Sequence, residues 1–258
     1  MKFKYAVFHA DDFNLTPEVN RGIIEAHLYG VVKSTSVMVN LPGLDEAVEL
    51  LNKYPRLDVG LHVNLTFGQP VSKKADVPSL MDDAGVFWRR KEFFQEHAAL
   101  EDIRKEVGRQ YELALSKGLK ISHIDSHHHL HFFDSRVEQV ILELAREDKL
   151  AVRALEQQKR HFYQQAGLST NDHFMDGFYG EENINLFKLR DIVEHLANGT
   201  TEIMCHPGYC DDKLRKLSSY NDMRQKELEL LKHPITLQFL NENNVKIIGY
   251  NEIRQFNP

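Results

Sequence analysis

Apolar positions along the chain fall into short continuous runs that alternate with longer stretches of helical period. Residues 3–9 form a run of the kind expected for a strand buried on both faces. Thr16-Pro17 then opens a helix with proline at its first position, and Val19, Ile23, Ile24 and Leu28 share a face up to Gly30. The same unit recurs as strand 34–40, helix 44–54 closed by Pro55, and strand 58–65. Further on, the pattern predicts helix 101–117 capped by Gly118, strand 120–125, helix 135–147, strand 150–154, helix 182–197 and strand 201–206. Helices over 222–232 and 235–243 and a last strand over 245–248 complete it, with 161–179 readable as either type.

Residues 66–100 break this rhythm. They are rich in Gly, Pro and Asp and carry Phe87, Trp88, Phe93 and Phe94. A long irregular insertion after the third strand of a regular pattern suggests a substrate loop. Seven or eight β/α units without a second compositional zone predict one α/β domain over 1–258, a TIM-like (β/α) barrel that is closed or nearly so. A doubly wound open sheet is the alternative. No G-x-G-x-x-G follows the first strand and there is no Walker loop, which weighs against dinucleotide or nucleoside triphosphate binding.

Composition narrows the class further. Net charge is −6, mean hydropathy is −0.45, and no Lys/Arg cluster stands out, so no nucleic-acid partner is expected. No apolar run reaches membrane-spanning length, and the basic start of the chain turns acidic too soon for a secretory leader. A cytoplasmic location is expected, in keeping with only two cysteines, Cys205 and Cys210. Cys205 reads as a small buried hydrophobe.

Chemistry concentrates at predicted strand ends. His9-Ala-Asp11-Asp12 ends the first strand and His62-Val-Asn64 the third. His123-Ile-Asp-Ser-His-His-His-Leu-His131 ends the fourth, and Cys205-His206-Pro-Gly-Tyr209 follows the seventh. In α/β barrels the carboxyl ends of the strands face the active site, so four distant segments meet in one bowl. Strand alternation would put His123, Asp125, His127, His129 and His131 on one face and His128 and Leu130 on the other, but a strand that runs into a loop loses that register, so the pattern is expected to hold only near the start of the run. One carboxylate and two imidazoles suit a divalent ion that keeps open positions for water and a substrate carbonyl. The Asp11–Asp12 pair suits a division between metal ligand and general base, provided a turn brings both inward.

These segments resemble the YdjC-like carbohydrate deacetylases, which include the chitooligosaccharide deacetylases. The resemblance rests on Ala10-Asp-Asp-Phe13 before a proline-started helix, Gly60-Leu-His-Val-Asn-Leu-Thr66, the 123–131 run and Met204-Cys-His-Pro-Gly208. It implies a barrel deacetylase fold, a single divalent ion (often magnesium), hydrolysis of the N-acetyl group of an acetylated amino sugar, and frequently a homodimer. It also implies Asp12, His62 and His127 as metal ligands, Asp11 as general base and His206 as general acid. Where the family usually has Gly after the Phe of its first motif, this chain has Asn14, a residue that tolerates a left-handed backbone.

Around that set, Asp125 is expected to orient a ligand imidazole, and His129 and His131 to line or support the pocket. Arg153 would steer Asp11 or be a surface arginine. Trp88 and Phe87 would stack on a sugar face or form a small separate core. Zinc, manganese or cobalt would also suit two imidazoles. The competing functions are another metallohydrolase, of phosphoesterase or amidohydrolase type, and a carbohydrate-binding protein without turnover. The former usually carries His-x-His on its first strand, whereas this chain has paired aspartates.

Overall fold

The computed structural model describes residues 3–256. Its strands are β1 (Lys4–Phe13), β2 (Val32–Val37), β3 (Asp58–Val63), β4 (Ile121–Ser126), β5 (Ala151–Val152), β6 (His173–Met175), β7 (Gly199–Cys205) and β8 (Val245–Ile247). All pair in parallel in one curled sheet of order β5-β4-β3-β2-β1-β7-β6. β8 lies against Lys4–Ala6 at the start of β1, while β2 pairs with the later part from Phe8 to Phe13. This is the α/β barrel-like fold predicted from the strand–helix alternation, not a doubly wound open sheet.

Side chains decide why the sheet curls with helices outside. Phe8, Ala10, Leu61, Ile124 and Ile203 are wholly buried, as parallel strands covered on both faces require. The first crossover helix, Pro17–Tyr29, starts where Thr16 Oγ1 accepts a hydrogen bond from the Val19 N–H. It buries Val19, Ile23 and Ile24. Gly22 in this helix lies so near the backbone of Gly208 that an added Cβ would sit 2.5 Å from its Cα. Only a residue without a side chain lets the loop after β7 rest there.

Between β5 and β6 the ladder is nearly missing. A single bridge joins Val152 to Thr170. Beside it, Asn171 Oδ1 accepts from the Ala154 N–H at 2.8 Å and Asn171 Nδ2 donates to Ala154 O at 2.8 Å. One carboxamide thus stands in for a peptide unit and completes the wall.

Several predicted boundaries move. β1 continues to Phe13, past the expected end at residue 9. The ambiguous stretch 161–179 holds the end of a helix, Gln157–Gln165, and the short half-buried β6. The 66–100 insertion contains a 3₁₀ turn at Pro78–Leu80 and a helix at Lys91–His97, closed around buried Val77, Leu80, Phe87 and Phe94. No helix among the described residues is long and apolar enough to cross a membrane.

Candidate active site

The end of β1 solves the geometric problem posed by adjacent aspartates. Ala10 pairs with Thr35 and Phe13 with Val37, so β1 carries one residue more than β2 over this step. The extra residue is accommodated as a bulge, with Asp12 at φ 70° and Asn14 at φ 77°. Alternation is broken there, and Asp11 and Asp12 both line the same cavity of about 350 Å³. Asn14 secures the turn: its side-chain nitrogen donates to Met38 O at 2.9 Å and Leu41 O at 3.1 Å.

Three atoms converge beside this turn. Asp12 Oδ1 lies 3.3 Å from His62 Nε2 and 3.1 Å from His127 Nδ1, and all three ligand atoms fall within 4.8 Å of one another. Asp12 Oδ1 is buried and has no hydrogen-bond partner, whereas Oδ2 accepts from Arg224 Nη2 at 2.6 Å. An orphaned carboxylate oxygen facing two imidazole nitrogens fits a divalent cation. His62 is oriented from behind: its Nδ1 lies 2.8 Å from Asp125 Oδ1 and 2.9 Å from Ser36 Oγ. That contact directs Nε2 toward Asp12, the usual arrangement behind a ligand imidazole. His128 turns away at φ 56°, with its Nδ1 3.0 Å from Thr66 Oγ1, so His127 is the imidazole that joins Asp12 and His62.

Electrostatics follow from burial. Burial alone would raise the Asp12 pKa, but Arg224 first and then His127 hold it well below the usual carboxylate range. Burial would lower that of His62, yet the facing Asp125, Asp12 and Asp11 push it up to about 10. Before an ion arrives, a proton on His62 therefore offsets the carboxylates. His206 sits across the cavity with its Nδ1 unpartnered, and burial, helped by Arg224, pushes its pKa down to about 4. Its backbone N–H donates to Glu227, which also accepts from the Tyr220 hydroxyl. Tyr220 stacks on Tyr179 at 4.2 Å, and both rings line the same cavity.

Arg153 is no surface arginine. It is wholly buried, with Nη2 2.6 Å from Asp11 Oδ1, Nη1 3.0 Å from Asp125 Oδ2 and Nε 2.8 Å from Glu202 Oε1. Burial would raise the Asp11 pKa, but Arg153 and then His9 keep it well below the ordinary value.

Two open readings can now be placed. The alternation from His123 to His131 stops at Ser126, because β4 ends there and His128 and His129 adopt left-handed φ of 56° and 53°. His129 still reaches the cavity. His131 turns inward instead, with Nδ1 2.6 Å from Ser126 Oγ and Nε2 3.2 Å from Arg153 O. The insertion's aromatics also face elsewhere. Phe87 is core, and Trp88 packs on His97 and Phe93 while donating to Ser79 O at 3.0 Å. Phe67 and Arg89 line the adjoining cavity of about 220 Å³ instead.

Sequence reasoning missed Arg224, Glu227 and Glu202. A signal existed for the first two: residues 224, 227, 228 and 231 recur at helical spacing with Leu228 and Leu231 inside, so both charges share the buried face.

The sequence profile of YdjC-like proteins matches residues 5–242. A carbohydrate deacetylase of Thermoanaerobacter pseudethanolicus is 37% identical over 251 residues, covering 97% of this chain and 100% of the relative. One of Clostridium beijerinckii is 38% identical over 248 residues, covering 96% and 99%. An Enterococcus faecalis V583 protein assigned to cellobiose-phosphate cleavage has a crystal structure similar at a TM-score of 0.90 and 32% identity, covering 97% of this chain and 99% of that one. A Xyl-CE4 domain of a multidomain xylanase from the hindgut metagenome of Trinervitermes trinervoides shares the fold alone. Its TM-score is 0.56 at 8% identity, covering 98% and 91%.

Proposed function

The chain belongs to the YdjC-like family, and from that premise we propose that it is a metal-dependent deacetylase removing the N-acetyl group from acetylated amino sugars or short chitooligosaccharide-type chains. The observation that carries this reading is the meeting of Asp12 Oδ1, His62 Nε2 and His127 Nδ1 within 4.8 Å, in a cavity that Asp11 and His206 also line. The name carbohydrate deacetylase borne by relatives that align over nearly their full length supports it.

Asp12, His62 and His127 would hold one divalent ion, magnesium by family resemblance, with zinc the main rival. A divalent ion in such a site acts as a Lewis acid and lowers the pKa of water. Asp11, ionised and clamped by Arg153, is the general base that takes a proton from the attacking water. His206 is neutral at rest and a strong acid once protonated, which suits delivery of a proton to the departing amine. The proton that Asp11 takes from water would pass on to the neutral His206 and from there to the amine, so the proton lost by water is the one the amine gains. The stacked Tyr179 and Tyr220 offer an apolar face to a sugar ring. We take the working protein to be one barrel domain, a cytoplasmic homodimer, with the 66–100 insertion on the substrate side.

The test is acetate release from a panel of acetylated mono- and disaccharides by chelated protein with single metals added back. Asp12→Ala and His127→Ala are expected to lose metal uptake and acetate release together. Full activity after thorough chelation refutes the proposal.

A further inference from the structure

Beneath Asp11 lies a pair of imidazoles for which the proposed chemistry has no use. His9 and His123 are both wholly buried, with their Nε2 atoms 2.6 Å apart. Two bare nitrogens would repel at that distance and two N–H groups would clash, so one proton lies between them. His123 cannot swing away. Tyr250 stacks on one face at 4.1 Å, and on the other Gly60 leaves so little room that an added Cβ would lie 2.3 Å from Nε2. Its Nδ1 lies 2.7 Å from Ser122 Oγ.

The other nitrogen of His9 is the informative one. Nδ1 lies 2.8 Å from Asp11 Oδ1 and 2.9 Å from Arg153 Nη2. Arg153 Nη2 has two hydrogens and three neighbours. Its hydrogen bonds run to Asp11 Oδ1 at 2.6 Å and toward His9 Nδ1 at 2.9 Å, while Glu202 Oε1 is bonded through Nε; the charged Asp11 oxygen, which can only accept, is the nearer partner of both Nη2 and His9 Nδ1. A bare Nδ1 would moreover set its lone pair against a carboxylate oxygen. Nδ1 therefore carries its own proton and donates it to Asp11.

Counting acceptor positions then separates the two oxygens of Asp11. Oδ1 accepts from Arg153 Nη2 and His9 Nδ1, which fills both of its lone-pair positions. Oδ2 accepts only from Arg153 Nη1, at 2.9 Å, and keeps one position free. We propose that His9 is a positioning residue: held in one orientation by His123, it saturates Asp11 Oδ1 and leaves Oδ2 as the single atom able to take the proton from water. The inference rests on Asp11 being the base.

Two measurements test it. Nitrogen-15 NMR of histidine-labelled wild-type protein, with and without added magnesium, is expected to show His9 protonated at Nδ1. A bare Nδ1 overturns the proposal whatever the variants do. In acetate-release kinetics, His9→Phe keeps a ring but no donor. It is expected to lower kcat on the order of tenfold to 100-fold, with KM and bound metal unchanged. His9→Asn, whose amide nitrogen can occupy the place of Nδ1, is expected to recover most of that loss. A His9→Phe enzyme with wild-type kcat, or one impaired in KM alone, overturns the assignment. Asp11→Asn separates the failures: if it is inactive while His9→Phe is not, only this inference falls, and if it stays active, the base assignment falls with it.

Discussion

Replacing Arg153 with Met removes the one cation shared by Asp11, Asp125 and Glu202 while keeping an unbranched side chain of similar reach. All three carboxylates are at most 3% exposed, so water cannot take over. Removing one partner of a buried ion pair costs about 3–5 kcal/mol. A second estimate comes from protonation. A stranded carboxylate can always escape by binding a proton, and at pH 7 that costs about 4 kcal/mol for an ordinary pKa near 4, which caps the penalty per group. About 4 kcal/mol is therefore expected at pH 7, a large fraction of the roughly 5–15 kcal/mol that stabilises a typical domain. The sign with pH follows from the same groups. In the wild type, Arg153 outweighs burial and holds Asp11 below its ordinary pKa. That stabilisation is present above the unfolded value near 4 and is lost as pH falls through the lower folded one. In the variant, burial is opposed only by His9 and His62 and raises the carboxylate, so its penalty fades as pH drops toward 4. The gap should narrow by about 1.4 kcal/mol per pH unit for each proton taken up, or about 3 kcal/mol between pH 7 and pH 5. Urea unfolding of both chelated proteins at the two pH values measures it, provided the slopes agree. A gap below about 1 kcal/mol at pH 7, or one that does not narrow at pH 5, refutes the reasoning.

Two further outcomes follow from the geometry. Because its facing carboxylates push His62 up to about 10, the metal-free protein carries a proton there at neutral pH, and that stabilisation is full below about 6.5 and lost as pH rises through about 10. Ion binding should then release about one proton near pH 7.5, measured by calorimetry in buffers of different ionisation heat; no release removes His62 Nε2 from the ligand set. Gly60→Ala drives a methyl against a His123 ring that Tyr250 also confines, so about 2 kcal/mol of stability should be lost, seen as a lower melting temperature. A variant as stable as wild type would mean that the ring is free to move.

What the sequence revealed, and what it hid, divides along a physical line. Short apolar runs such as 5–8 and 203–205 mark strands buried on both faces, and Thr16-Pro17 marks a helix start, because each signal is local. The strand-end clusters also show through, since parallel strands deliver their carboxyl ends to one side. Glu202 stayed hidden, and Arg153 stood open between a steering residue for Asp11 and a surface arginine, because a buried charge looks like a solvated one until its partner is known, and these two stand 49 residues apart. Arg224 lies 212 residues from the Asp12 oxygen it holds. The end of the 123–131 run was hard to place for the opposite reason. Two left-handed histidines ended the alternation, and nothing in a run of imidazoles announces a reversal of φ. Trp88 could be a sugar platform or part of a small separate core, because composition places an aromatic in a loop without saying which way it faces.

The seam closed by Asn171 has a mechanical consequence. Elsewhere, parting neighbouring strands means breaking a backbone ladder of at least two residue pairs. Between β5 and β6, rotating one side chain undoes two of the fastenings, leaving the lone bridge at Val152. The circumference therefore has a weakest link, next to the residue that carries Arg153. A strain that spreads this joint would tilt the guanidinium clamp before it disturbed Asp12, His62 or His127.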